Sequence, residues 1–205
     1  TFESTDKIVC VGDIHSGLAS FNNILIALNE DNIINDKCQV QEGYNIVFLG
    51  DLVDRGPYSI EVLFLACSLY LKNPNKVFIL NGNHEDYDVW VRYGLLDEIE
   101  AEYGKQHKYY TDVTTAIKEA LWYLPSVLFV KLGKNHLYQM CHGGMATGIS
   151  DTTMSDILEQ NNSTITQYDD TYIYTYIHAY MHPSIHPSYH PSNHPTIHPT
   201  KRLCI

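Results

Sequence analysis

Four short polar islands in this 205-residue chain carry the side chains that could do chemistry. They are Gly-Asp-Ile-His with Asp13 and His15, Gly-Asp-Leu-Val-Asp-Arg-Gly with Asp51, Asp54 and Arg55, Gly-Asn-His-Glu with Asn83, His84 and Glu85, and Cys-His-Gly-Gly with His142. Carboxylates, imidazoles and a side-chain amide are hard-to-borderline metal ligands. Asp13 and His15, two apart in an extended segment, can both turn toward one ion. Asp51 can bridge two ions through its two oxygens, and Asn83 and His142 can complete the second. A pair of ions about 3.5–4 Å apart activates a shared water and holds the attacking and leaving oxygens of a phosphoryl transfer. Asp54 can then fix the tautomer of His84, whose imidazolium protonates a leaving alkoxide. Arg55 offers a bidentate fork to a phosphate. Each island alone reads as an ordinary turn or a hydrogen-bonded histidine; the four together, in this order, read as a dinuclear metal site.

The elements that must position these residues are legible in the apolar pattern. Lys7 to Asp13 is a short apolar run ending in Gly-Asp, followed by Leu18, Phe21, Ile24, Leu25 and Leu28 at helical spacing. The unit repeats: Tyr44 to Asp51 is strand-like, and Ser59 to Leu71 is helical and stops before Pro74. Lys76 to His84 predicts a third strand running into a polar loop. Helical segments are predicted over about Glu85–Tyr103 and Tyr109–Leu121, then two strands around a Gly133-Lys134 turn. Strands alternating with helices, with polar residues at the strands' carboxyl ends, indicate an α/β (α+β) β-sandwich flanked by helices.

The bulk composition excludes several classes. A net charge of −11 without clustered Lys or Arg disfavours nucleic acid as a partner. No apolar run reaches the roughly 18 residues of a bilayer span, so no membrane partner is expected. Five cysteines without a CxxC pair suit reduced thiols, and hence a cytoplasmic or nuclear setting. The chain starts at Thr1 and reads as a possible fragment that could have lost a targeting segment.

Beyond the ligands, three stretches carry a family resemblance: Gly50 to Glu85 with its connecting helix, including Ser59, Glu61 and Pro74; Arg92 to Gly104; and Leu121 to Met145. The chain resembles the serine/threonine phosphoprotein phosphatases within the calcineurin-like metallophosphoesterases. Glu85 and Asp54-Arg55 favour these over related dinucleotide tetraphosphatases. The resemblance implies two metal ions (Mn, Fe or Zn). It puts Asp13, His15 and Asp51 on the first and Asp51, Asn83 and His142 on the second. It also implies His84 as general acid partnered by Asp54, Arg55 on the phosphate, a phosphoprotein substrate and regulatory subunits. Ser16 stands where the family usually has Gly, and Asn81 where it usually has Arg; neither is a ligand position, so both read as tolerable.

The resemblance covers about Lys7 to Ser150, at most to Gln160. The family's later Trp-x-Asp-Pro segment, Arg-Gly and last ligand histidine are not found. The expectation is a metallophosphoesterase domain over 1–160 that is incomplete, truncated or frame-shifted, with weakened second-metal binding and a missing strand partner. A low-complexity His/Pro/Tyr/Thr-rich tail over 161–205, read as disordered, follows. Tyr172, Tyr174 and Tyr176 alternate with Ile and Thr, a β-prone signal without a readable partner. From His182 to Thr200 a histidine recurs every fourth residue, each followed by proline. Those prolines forbid a helix, and polyproline II turns successive histidines apart. The alternatives to an active phosphatase are a catalytically impaired phosphatase-like protein and a His-rich metal-binding protein.

Overall fold

The computed structural model describes residues 7–132, 136–144, 167–168 and 173–176. Its framework is two facing sheets with helices over one of them. The larger sheet is built from β1 (Lys7–Val11), β2 (Tyr44–Phe48), β3 (Val77–Ile79) and β7 (Ile173–Tyr176), in the order β3-β2-β1-β7. All three pairings are parallel. The smaller sheet has β4 (Val127–Leu132) between β5 (His136–Cys141) and β6 (Gln167–Tyr168).

The apolar runs of β1 and β2 are near-continuous because both faces of their sheet are covered. Val9, Val11, Ile46 and Phe48 face the helices and join one core with Phe21, Leu28, Val62 and Trp90. Their alternates Ile8, Cys10 and Val47 face the smaller sheet and pack with Val130 and Met140. The period-two side-chain alternation of a strand thus feeds two cores.

α1 (Leu18–Glu30) buries Phe21, Ile24, Leu25 and Leu28 of the predicted stripe, with Leu18 partly buried against the same core; Phe21 stacks on Phe48 with ring centroids 5.7 Å apart. α2 (Ser59–Lys72) buries Val62, Ala66 and Leu69. The single helical segment expected over 85–103 is instead a 3-10 turn (Asn83–Glu85), α3 (Tyr87–Tyr93) and α4 (Leu95–Tyr103). The break is at Gly94, whose φ of 133° a side chain would resist. α5 (Tyr110–Trp122) then leads to Pro125 and β4. No described helix is long and apolar enough to cross a membrane.

The partner of the Tyr-alternating segment is β1: Ile8, Val9, Cys10 and Val11 pair with Ile173, Tyr174, Thr175 and Tyr176. The segment read as a disordered tail therefore contributes two short strands, Ile173–Tyr176 beside β1 and Gln167–Tyr168 beside β4. The histidine ladder lies outside the described residues.

Candidate metal centre

Strand order explains how residues as far apart in the chain as Asp13 and His142 can meet. Because β3, β2 and β1 are adjacent and parallel, their carboxyl ends project three loops side by side. These loops carry Asn83 and His84, then Asp51 to Arg55, then Asp13 and His15. The facing sheet contributes His142 at the end of β5.

The loops are locked together at close range. Gly50, at φ 109°, approaches the backbone of Gly82 so tightly that a Cβ on either residue would collide with main chain. The glycines of Gly-Asp and Gly-Asn are thus needed for this loop-to-loop approach. Glu85 fills the remaining gap. It is 3% exposed, and its carboxylate accepts from the amides of Asp51 and Leu52, both at 2.8 Å, and Gly82 at 2.7 Å. Burial nevertheless pushes its carboxyl above the ordinary range, against those three hydrogen bonds. No role was legible for Glu85 in the sequence, because two of its three partners lie more than thirty residues away.

Asp51 sits at the centre, 3% exposed. Its Oδ1 accepts from the His84 amide at 3.0 Å. Its Oδ2 lies 3.5 Å from His15 Nε2 on one side and 3.3 Å from His142 Nε2 on the other. Asp13 completes the group, with carboxylate oxygens 3.9 Å from His15 Nε2 and 3.7 Å from His142 Nδ1. Asn83 Oδ1 is 3.0 Å from His142 Nε2. Two groups of converging ligand atoms result, His15–Asp51–His84 and Asp13–Asp51–His142, and Asp51 is common to both.

The donor chemistry tests whether cations fit here. His15 Nδ1 is 3.0 Å from the Val53 carbonyl, which can only accept, so Nδ1 carries a proton. In the neutral ring, Nε2 then presents a lone pair to two carboxylates. Lone pair facing carboxylate is repulsive unless a cation lies between them, and a backbone carbonyl behind the far nitrogen is the usual support of a ligating histidine. The nitrogen and oxygen set fits manganese, iron or zinc in kind.

His84 differs from the other two histidines because both of its nitrogens are engaged. Nδ1 is 2.8 Å from Asp54 Oδ2, and Nε2 is 3.0 Å from Arg55 Nη2. Arginine has no acceptor and a carboxylate no proton, so one tautomer satisfies both contacts: proton on Nδ1, lone pair on Nε2 toward Arg55. Asp54 is fully buried, and its other oxygen accepts from the Leu95 amide at 2.9 Å. Tyr93 closes over the ring, edge to face at 5.2 Å.

The backbone here is locally unusual. Of the eight described non-glycine residues at positive φ, five are His15, Ser16, Asp51, Asp54 and Arg55. Such left-handed positions cost energy, and surrounding contacts must hold them. Ser16 supplies part of that hold: its Oγ donates to the Asp54 carbonyl at 3.0 Å and lies 2.5 Å from Ser59 Oγ, which accepts from the Asp54 amide at 3.2 Å. Ser16 at φ 58° shows why glycine suits the position and what serine adds there. Asn81 is anchored through its amide to the Pro125 carbonyl at 2.8 Å, while its buried Oδ1 finds no partner among the described residues.

Comparison with known proteins places this arrangement. Over 157 residues the chain is 34% identical to serine/threonine-protein phosphatase rdgC of Drosophila melanogaster, covering 76% of this chain and 20% of that protein. It is 38% identical over 102 residues to the PP2A-like serine/threonine-protein phosphatase PPG1 of Candida albicans, 50% of this chain and 23% of that one. A Saccharomyces cerevisiae protein serine/threonine phosphatase with similarity to human PP5 shares the fold at a TM-score of 0.55 and 24% identity, over 82% of this chain and 48% of that one. The chain thus spans less than half the length of each of these relatives. The model of the calcineurin-like phosphoesterases matches residues 6–198, and the chain belongs to that family.

Proposed function

We propose that this chain carries the centre of a serine/threonine protein phosphatase, which hydrolyses phosphoserine and phosphothreonine monoesters in proteins with two metal ions. The observation that carries the reading is Asp51, a buried carboxylate flanked by His15 and His142, beside a separate Asp54–His84–Arg55 chain. The curated relatives named above are serine/threonine-protein phosphatases, which supports the substrate class.

Asp13, His15 and Asp51 would hold one ion, and Asp51, Asn83 and His142 the other. Although His84 falls within one converging group, its engaged nitrogens favour proton transfer over ligation. Bound ions supply Lewis-acid activation of water and neutralise charge on the phosphate. The remaining chemistry belongs to the protein. Arg55 moves its guanidinium from His84 Nε2 to the phosphate oxygens, where two parallel N–H donors match two acceptors. Nε2, released, takes up a proton and hands it to the departing serine or threonine oxygen. Asp54 holds the ring and stabilises its charged form, and Glu85 holds Asp51 by fixing the amides on both sides of the two loops.

Manganese, iron or zinc would serve, and regulatory subunits would supply much of the selectivity. Five cysteines without a CxxC pair suit a reducing compartment such as the cytosol or nucleus. The test is hydrolysis of a phosphoserine peptide and an aryl phosphate by purified chain with added manganese, beside Asp51→Asn. Turnover that vanishes in the variant supports the reading. A chain that binds metal without turnover would instead be a phosphatase-like binding protein.

A further inference from the structure

A groove of about 940 Å³ starts at the edge of the metal centre and runs between α2 and α4. Three of its wall residues directly continue the site. Gly56 follows Arg55 in the chain, Gly94 follows Tyr93, and Leu18 opens α1 just past Ser16. The floor is apolar, with Ile60, Leu65 and the 62%-exposed Phe64. The rim is acidic, with Glu61 on α2 and Asp97 and Glu102 on α4, all exposed.

Those three carboxylates belong to no ion pair among the described residues, and no lysine or arginine lines the groove. The nearby Lys105 is held at 2.8 Å by Glu100. Glu98 is occupied otherwise, because its two oxygens accept from the Ser59 and Ile60 amides, both at 2.8 Å, and so cap α2. Among the described residues the three rim carboxylates outnumber the one nearby cation, Lys105, whose ammonium is paired with Glu100 and also feels Asp97, and they stand above apolar surface that water wets poorly. The occupant that satisfies both is an extended peptide carrying one apolar side chain for the Phe64 floor and Lys or Arg for the rim.

We infer that this groove docks the substrate segment flanking the phosphorylated residue, selecting phosphoproteins whose phosphosite is followed or preceded by an apolar residue and basic residues. The inference rests on Arg55 being the phosphate contact, because that places the phosphoresidue at the groove's inner end.

The test separates docking from catalysis. Fluorescein-labelled, unphosphorylated peptides of equal length, one with Leu and two Arg, one with Leu and two Glu, one with Ser and two Arg, are titrated into the full chain and followed by anisotropy. The Leu/Arg peptide should bind at least about tenfold more tightly than the Leu/Glu peptide at low salt, the gap closing at high salt as surface charges are screened. Glu61→Lys/Asp97→Lys/Glu102→Lys should reverse the preference, and Phe64→Ser should remove the advantage of Leu over Ser. Thermal melts check that both variants, which alter exposed side chains, remain folded. Equal affinities, or a preference that survives the triple change, overturn the inference. The wild-type aryl-phosphate assay reads the catalytic proposal separately: turnover without peptide preference sinks only the groove, and peptide preference without turnover sinks only the phosphatase.

Discussion

Arg55 Nη2 donates to His84 Nε2 across 3.0 Å, so without a phosphate the cationic fork rests on the very nitrogen that would carry the catalytic proton. Phosphate binding must break that contact, which ties loading of the general acid to arrival of substrate. Arg55→Ala should lower kcat/KM for a phosphopeptide by about 10²-fold, the scale of removing one preorganised charge-stabilising donor. Arg55→Lys should recover little, since a single ammonium cannot reproduce the fork. Steady-state kinetics on one phosphopeptide checks both.

Asp54→Asn keeps the shape of the side chain but removes the acceptor that selects the His84 tautomer. General acid catalysis contributes about 10²–10⁴-fold, so a loss in that range is expected with a phosphoserine peptide. The loss should shrink with an aryl phosphate, whose leaving oxygen needs less protonation. Equal losses on both substrates would argue that Asp54 serves only the fold.

Glu85→Gln replaces a carboxylate that accepts three amides with a group whose NH2 must face at least one of them. Leaving a buried donor unsatisfied costs about 1–3 kcal/mol, and each kcal/mol lowers Tm by about 2–4 °C at this size. Calorimetry on the metal-free chain reads this directly. Activity should fall as well, because the loop bearing Asp51 loses its tether.

The same residue makes metal-free stability depend on pH. Burial raises the Glu85 carboxyl above its ordinary value, so the folded chain binds this proton more tightly than the unfolded chain does. Its contribution is fully present below the unfolded value of about 4.3 and is lost as pH rises through the higher folded value. Urea midpoints measured from about pH 4 to 7 should show that decline, and Glu85→Gln should flatten it.

Chelation should abolish hydrolysis, and manganese should restore it. It should also lower Tm in wild type, since a ligand held only by the folded state stabilises it. In Asp51→Asn, which weakens both proposed ion sites together, chelation should move Tm far less.

The sequence by itself determined the inventory and its supports. The islands around Asp13, Asp51, His84 and His142, the strand preceding each and the apolar stripe of α1 are local signals, written in periods of about two and 3.6 residues and in Gly-Asp or Gly-Asn turns. Only the tertiary structure decided how they combine. Glu85 became the clasp of the Asp51 loop, Ser16 and Ser59 bracketed Asp54, Gly94 split one expected helix, and Ile173–Tyr176 took β1 as partner. The Glu85 clasp and the Ser16–Ser59 bracket depend on groups far apart in the chain that meet only when parallel strands align their carboxyl ends. Local periodicity carries no record of which distant amide a buried carboxylate will find; burial decides it, because a polar group removed from water must be satisfied by whatever the fold brings near.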